Sequence, residues 1–346
     1  MPKHDESPSI TVKRRVQLTG GSTYIISIPK EWAKLLNIEK GSEVTLELSR
    51  DGWIKVSSAK GGRRREQRSI EISLRDGLSD AAISMQIIAA YLAGYDTIKV
   101  KFNPTLADLA ERVVSMVRSK VVGLELLEES DSHMTLRAVV DLTSISAESA
   151  LDNLVKVVKG MLADVNDVIT GVKGREVLEA VVRRDDIVDK LYLYIFKQLN
   201  LALQGLMSPN ELGMNDLAEV IAIYTMVKSL ERIADQVVSI AQWLEDLSPG
   251  VTLSDEIKDL FTSVHKALDN ALNLVKAPQR EKVLELYESL HSQTAKLMQT
   301  YVSQRLRGCA GDCYPLFDGL RRILAQGIDL LEALMGLESL RSIEAS

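Results

Sequence analysis

The sequence predicts a multidomain α+β protein, because three successive stretches of its 346 residues show three different hydrophobic patterns. Short alternating strands surround one short helix over residues 11–58, and strands then alternate with helices over residues 69–142. Long amphipathic helices fill the chain from residue 146 onwards. A chain of this length can form two or three domains, each with its own core.

The first region has the order strand, strand, short helix, strand, strand. A glycine turn at residues 19–22 separates two extended stretches, 14–18 and 24–28, and Pro29 suits the first position of the short helix that follows. Asp51-Gly52 favours a hairpin turn between the last two strands. Residues 1–10 are polar, and we expect them to form a disordered tail.

Charge is distributed unevenly between this region and the rest of the chain. Residues 1–68 contain 14 Lys and Arg against 8 Asp and Glu, whereas the remaining residues contain 28 against 40. A basic head on an acidic body indicates that the head meets a polyanion. The run Lys13-Arg14-Arg15 also fits a solvated edge strand, on which charge opposes aggregation.

The first region resembles the AbrB/SpoVT family of small swapped-hairpin domains, which bind DNA as dimers. The segments that carry the resemblance are 14–18, 24–32 and 35–44, the last with the pattern Leu-x-Ile-x-Lys-Gly-x-x-Val. The resemblance implies a swapped-hairpin β-barrel over residues 11–58, formed by two chains because so short a segment cannot bury a core alone. The DNA contacts that it implies are Arg14, Arg15 and Lys34, with the adjacent Lys13.

One departure from that family favours a different role for the head. Ser22 and Thr23 stand where transition-state-type regulators of the family carry an arginine just after the turn glycine. A head without this arginine is also compatible with a module that only dimerises.

The middle of the chain is a linker followed by a small α/β region. Residues 59–68 form a flexible basic linker in this interpretation, since two glycines precede three arginines. The α/β region spans residues 69–142, with predicted strands at 69–74, 97–102, 124–128 and 135–141 and predicted helices at 79–93 and 104–120. It lacks a glycine-rich phosphate loop, a nucleophile elbow and paired His or Cys residues, so its sequence indicates no function.

The rest of the chain predicts six long helices. Their predicted bounds are 147–170, 174–206, 214–246, 254–275, 280–306 and 314–340, separated by Ser, Gly and Pro residues that cap or break helices. Two sets of three helices indicate two repeats of a three-helix unit, which we place at 146–246 and 252–341.

Two acidic pairs occur on successive helices of the first repeat. Asp185 and Asp189 are one turn apart, as are Glu231 and Asp235, and each pair lies beside an apolar seam. If the two helices are antiparallel neighbours, the four carboxylates converge, and such oxygen ligands suit Mg, Ca, Mn or Fe ions. The alternative is that each pair lies on a solvated face and forms weak ion pairs with nearby Arg and Lys.

These motifs resemble the PhoU family of phosphate-uptake regulators, which are built from two three-helix repeats. The resemblance rests on both acidic motifs and on Val238-Ser239-Ile240-Ala241, and it implies an all-α six-helix bundle. It also implies a divalent or iron-type metal cluster in the first repeat, with Asp185, Asp189, Glu231 and Asp235 as ligands. The matching positions of the second repeat hold Glu288, Ser292, Arg321 and Ala325, so we expect at most one metal site.

Together the resemblances imply a phosphate-uptake regulator that binds DNA as a homodimer and whose bundle senses or relays phosphate status with a transporter or sensor partner. The alternative is a protein-interaction adaptor that controls a phosphate transporter directly, with a head that only dimerises. We expect no enzymatic activity, because no nucleophile or substrate pocket is indicated. No uncharged run reaches the roughly 20 residues that span a bilayer, so we expect a cytoplasmic chain that is not itself membrane-spanning.

Overall fold

The computed structural model describes residues 11–48, 52–58, 67–248, 252–306 and 310–345. The chain divides into two compact units, residues 1–66 and residues 67–346. The predicted tail at 1–10, the turn residue Asp51 and residues 59–66 of the predicted linker lie outside the described residues.

Two hairpins and a short helix form the described part of the N-terminal unit. The strands are β1 (Gln17–Thr19), β2 (Thr23–Ile25), β3 (Val44–Leu48) and β4 (Ile54–Ser58), and the helix is α1 (Lys30–Leu35). The β1–β2 and β3–β4 pairs are both antiparallel. Gly20 and Gly21 have φ angles of 62° and 78° in the first turn, a conformation that glycine adopts without steric strain. The predicted order is confirmed, although β1 and β2 are shorter than the predicted stretches.

The second unit begins with a four-stranded sheet covered by two helices. Its elements are β5 (Ser69–Ser73), α2 (Asp80–Leu92), β6 (Thr97–Lys101), α3 (Ala107–Lys120), β7 (Leu124–Ser130) and β8 (His133–Ala138). The strand order is β5-β6-β8-β7, with β5 parallel to β6 and the other neighbours antiparallel. Alternate strand residues such as Ile98, Val100 and Leu136 are buried in one core with the helices, as the period-2 pattern predicts.

The helices of the remaining chain are α4 (Ala147–Thr170), α5 (Leu178–Leu203), α6 (Glu219–Asp246), α7 (Asp255–Asn273), α8 (Arg280–Leu306) and α9 (Ala310–Ala345). The Ser146 side chain accepts a hydrogen bond from the Ser149 amide and so caps α4, and Gly171 ends that helix in the left-handed conformation with φ 82°. These helices match the six that the sequence predicts.

Three helix starts differ from the prediction by four or five residues. Helix α5 begins at Leu178 rather than at residue 174, after a short 3-10 turn at Arg175–Val177. The third helix begins at Glu219 rather than at residue 214, because Gly213 has a φ of 78° and the Asp216 carboxylate binds the Ala218 amide in a turn. The last helix begins at Ala310, four residues before the predicted start, and Pro315 lies inside it. Proline so near the first turn removes one backbone hydrogen bond without ending the helix.

Helix α6 is the central element of the helical region. It packs against α4, α5 and α9, while α8 packs against α7 and α9. Its predicted apolar seam is confirmed, since every member is buried: Met226, Leu230, Ile233, Val237, Ile240 and Leu244. None of the described helices is both long and apolar enough to cross a bilayer.

Helix α5 joins the bundle to the α/β region within the second unit. Its Leu193 is buried in the core of the α/β region. Asn200 donates a hydrogen bond of 3.2 Å to the carbonyl of Leu92 at the end of α2, and the Lys197 ammonium lies 3.5 Å from the centroid of the Tyr91 ring. The α/β region is therefore packed on one helix of the first repeat.

Candidate functional site

The two predicted acidic pairs lie on neighbouring helices. Asp185 and Asp189 belong to α5, and Glu231 and Asp235 belong to α6, which packs against α5. The fully buried Val188 belongs to the same core as the α6 seam, and this packing fixes the flank from which the α5 carboxylates project.

The four carboxylates are close enough to alter one another's ionisation. Burial raises the pKa of Asp185, and the negative charges of Asp189 and Glu231 raise it further. Partial desolvation and then the charge of Glu231 raise the pKa of Asp235 to about 6, although this side chain keeps contact with solvent. Such shifts arise when like charges share a site. The structure thus brings these residues into one carboxylate cluster, defined as Asp185, Asp189, Glu231 and Asp235.

Lys228 neutralises one member of the carboxylate cluster. Its ammonium lies 2.8 Å from each carboxylate oxygen of Glu231, three residues later on α6. It also lies 4.7 Å from the centroid of the Tyr192 ring on α5. The Glu231 side chain is only 12% exposed, so the attraction within this pair is screened less than that of a surface pair.

A second lysine reaches the carboxylate cluster from the α/β region. Lys120 is the last residue of α3, and its Nζ donates a hydrogen bond of 3.1 Å to Oδ2 of Asp189. This hydrogen bond raises the pKa of Lys120. Sequence reasoning missed Lys120, because 69 residues separate it from its partner and no local pattern links the end of α3 to α5.

Asp185 is the member of the carboxylate cluster with an unsatisfied oxygen. Its Oδ1 atom is buried and accepts no hydrogen bond from the part of the chain that the structure describes. An unsatisfied buried acceptor is unfavourable by about 1–3 kcal/mol, and here its pKa shift towards the neutral form lessens that penalty.

As arranged, the carboxylate cluster does not present a ready set of metal ligands. Within residues 11–48, 52–58, 67–248, 252–306 and 310–345, no three His, Cys, Asp or Glu residues are placed to hold an ion. The donor type suits a hard cation, but ammonium groups already engage Asp189 and Glu231. The metal cluster implied by the family resemblance therefore stays a prediction.

The predicted DNA contacts lie on the surface of the N-terminal unit. Lys13, Arg14 and Arg15 are exposed in the extended stretch that precedes β1, and Lys34 is exposed in the last turn of α1. The three consecutive basic residues are thus outside the strand in which the sequence placed two of them. Their contact with DNA stays a prediction.

The helices that carry the carboxylate cluster belong to a segment, residues 151–244, that matches the family model of the PhoU domain. This segment is similar to PhoU domains, and it is called the PhoU domain below because of that similarity. The match covers most of α4, α5 and α6, so the PhoU domain contains all four carboxylates. Residues 17–64 match a model described as antidote-toxin recognition MazE, bacterial antitoxin, which makes the head a MazE/AbrB-like domain.

Two solved PhoU structures are similar to this chain. The phosphate transport system regulatory protein PhoU from Streptococcus pneumoniae shares 16% identity and a TM-score of 0.47, over 56% of this chain and 93% of that one. PhoU from Pseudomonas aeruginosa shares 17% identity and a TM-score of 0.46, over 56% of this chain and 95% of that one. None of the curated proteins matches the sequence.

Proposed function

We propose that this protein is a cytoplasmic, dimeric regulator of phosphate uptake, which binds DNA through its head and relays phosphate status through its PhoU domain. The head is defined here as residues 11–58. The observation that carries the proposal is the joining of a PhoU domain to a basic MazE/AbrB-like domain in one chain. Such a chain can connect a phosphate-transport partner to a nucleic acid.

Dimerisation through the head is supported by its lack of a core. None of its described side chains is buried. Two-stranded hairpins are marginally stable by themselves, and apolar side chains favour removal from water. A second copy of the head provides the missing partner surface. The large apolar side chains that it would cover are Val16, Leu18, Tyr24, Ile26, Leu46, Leu48, Trp53 and Ile54.

A charge placed on the apolar side of β3 tests dimerisation. In the full chain we expect Leu46→Asp to shift the mass measured by light scattering from dimer to monomer, because the exposed Leu46 would face the second copy. Thr45→Asp is the matched control, since Thr45 is the neighbouring residue on the opposite side of the same strand. A monomeric wild type, or a dimer unaffected by Leu46→Asp, contradicts dimerisation through the head.

DNA binding is supported by the charge and exposure of the head. Its exposed basic residues Lys13, Arg14, Arg15 and Lys34 can contact phosphates, which release counterions on binding. The acidic remainder of the chain would be repelled by the same polyanion. We therefore expect the chain to contact DNA through its basic N-terminal region.

A gel shift with the promoter region of the chain's own gene tests this contact at several salt concentrations. We expect Arg14→Ala/Arg15→Ala/Lys34→Ala to weaken binding and to reduce the slope of log affinity against log salt by about 3, one for each phosphate contact. The matched control removes three exposed lysines of the helical region, Lys156, Lys282 and Lys296, and leaves binding unchanged. Equal binding by both triple variants would refute the assigned contacts.

The second candidate function is an adaptor that controls a phosphate transporter directly. Ser22 and Thr23 favour it, because the position after the turn glycine lacks a basic side chain. Affinity purification of the full chain from cells tests the choice. Transporter components that copurify, with no DNA enriched by chromatin precipitation, support the adaptor, whereas enriched promoter DNA supports the regulator.

A further inference from the structure

Two of the four carboxylates in the carboxylate cluster already have a protein cation. Lys228 binds both oxygens of Glu231 at 2.8 Å, and Lys120 binds Asp189 at 3.1 Å. The Asp189 and Glu231 side chains are 22% and 12% exposed, and the side chains of their partners Lys120 and Lys228 are 43% and 28% exposed, so water screens these pairs in part.

The two lysines come from different parts of the fold. Lys228 lies on α6, beside Glu231, and its position follows from the helix itself. Lys120 ends α3, so the Lys120–Asp189 pair exists only while the α/β region is packed on α5. The charge of the carboxylate cluster is therefore linked to that packing.

The other contacts between the α/β region and α5 depend less on the carboxylate cluster. They include the Lys197 ammonium over the Tyr91 ring and the hydrogen bond from Asn200 to the Leu92 carbonyl, both near the C-terminal end of α5. Asp189 lies two to three turns before them. Lys120 thus provides a polar contact between α3 and α5 at the level of the carboxylate cluster.

We propose that Lys120 and Lys228 are built-in counter-ions of the carboxylate cluster, which take the place of a metal ion and, through Lys120, hold the α/β region against the PhoU domain. A primary ammonium supplies one positive charge and hydrogen bonds to carboxylate oxygens, as a hard cation would do by coordination. A divalent cation that takes Oδ2 of Asp189 displaces Lys120 from that oxygen. Displacement removes an attachment of α3 to α5, so metal binding and docking of the α/β region oppose each other.

The test compares Lys120→Met with wild type in the full chain. Methionine keeps much of the apolar stem of lysine and removes its charge. In a Mn²⁺ titration by calorimetry we expect the variant to bind the ion about tenfold more tightly than wild type. The reason is that Mn²⁺ no longer competes with the Lys120 ammonium for Asp189. Adding Asp185→Asn should abolish the gain. In the absence of metal, amide hydrogen exchange in α3 should be about tenfold faster in the variant, since α3 has lost its attachment.

Three variants keep this test interpretable. Lys101→Met is the matched control, because Lys101 is in the same region and pairs with Glu71 at 2.7 Å on the open sheet, away from the carboxylate cluster. Lys120→Arg should restore wild-type exchange and wild-type Mn²⁺ affinity. If Lys120→Met does not fold, Lys228→Met takes its place in the titration. Wild-type Mn²⁺ affinity equal to that of the charge-removing variants, or unchanged exchange in α3, would overturn the proposal.

Discussion

The two three-helix sets, α4–α6 and α7–α9, use different means to neutralise carboxylates on similar helices. In the first set, four carboxylates on two helices share two lysines, one of which comes from the α/β region. In the second set, Asp318 is bound by Arg321 and Arg322 of its own helix, each at 2.9 Å. The Asp318 carboxylate is therefore paired within its own helix, whereas charge in the first set is coupled to another part of the fold.

The two sets share one buried apolar core, although their carboxylates are paired differently. Both sets bury continuous apolar seams, and α6 packs directly on α9. The PhoU match ends at residue 244, with the first set.

The largest expected effect concerns the buried apolar core, which both helix sets share. Leu230→Ala and Leu320→Ala each delete a fully buried side chain, from α6 and α9 respectively. We expect each to lower the free energy of unfolding by about 2–5 kcal/mol, as large-to-small core substitutions do. Urea unfolding followed by circular dichroism measures both. A loss below about 1 kcal/mol in only one variant would show that the sets are not equally well packed.

The next effect concerns the ion pair that joins the two sets. Glu219 at the start of α6 is 1% exposed and accepts hydrogen bonds of 2.9 and 3.2 Å from the Arg341 guanidinium near the end of α9. Arg341→Met should lower the free energy of unfolding by about 3 kcal/mol, because a buried carboxylate loses its partner.

The double variant Glu219→Gln/Arg341→Met separates the ion pair from the burial of a lone charge. We expect it to be more stable than Arg341→Met, since it contains no unpaired buried charge. A double variant that is less stable than both single variants would contradict this account.

A smaller effect on stability is expected from removing one cation from each set, and its size should differ between the two sets. Lys120→Met should lower the free energy of unfolding by about 0.5–1 kcal/mol, because Lys120 is partly solvent-screened and no second cation binds Asp189 among the residues that the structure describes. Arg321→Met should change it by at most a few tenths of a kcal/mol, since Arg322 still binds Asp318. Chemical unfolding of both variants in parallel measures the difference, and equal losses would remove this distinction between the sets.

Local patterns in the sequence predicted most of the fold. The apolar seam of α6 and the caps at Ser146 and Gly171 depend only on residues three or four positions apart, which the sequence shows directly. The start of α6 at Glu219 depends on the Asp216 side chain folding back on the backbone, a contact that propensity did not reveal. The extra turn of α9 before Pro315 depends on a proline that the helix tolerates near its start.

The candidate site was predictable only in part. The spacing of Glu231 and Asp235 identified the acidic pair, and Lys228 was visible beside it as one of several possible partners. Lys120 was not visible, because its contact with Asp189 requires the packing of the α/β region on α5. The same holds for Tyr192, whose ring faces Lys228 from the neighbouring helix. Tertiary partners of this kind leave no spacing signal in one sequence.

The smallest effect is a pH dependence of opposite sign in the two sets. The pKa of Asp235 is about 6 in the folded chain against an ordinary value of 3.8, so between these values the folded state binds more protons than the unfolded state. Stability from this group is present at low pH and is lost as pH rises towards 6. The charged groups around it are Glu231, Asp185 and Asp189, which raise its pKa, and Lys228, which lowers it.

Asp235→Asn removes the titration of this carboxylate in the first set. Asp318→Asn makes the equivalent change to a carboxylate in the second set. Relative to wild type, Asp235→Asn should gain stability as pH rises from 4 to 7, by less than about 1 kcal/mol because solvent screens this side chain. The hydrogen bond from Arg321 lowers the pKa of Asp318, so its contribution is present above pH 4 and is lost as pH falls. Asp318→Asn should therefore be less stable than wild type at pH 7, with a loss that shrinks at low pH. Urea midpoints at pH 4, 5, 6 and 7 measure the slope for Asp235→Asn, and midpoints at pH 2, 3 and 4 measure the slope for Asp318→Asn. Slopes of the same sign would contradict the contrast between a cluster of repelling carboxylates and a locally paired one.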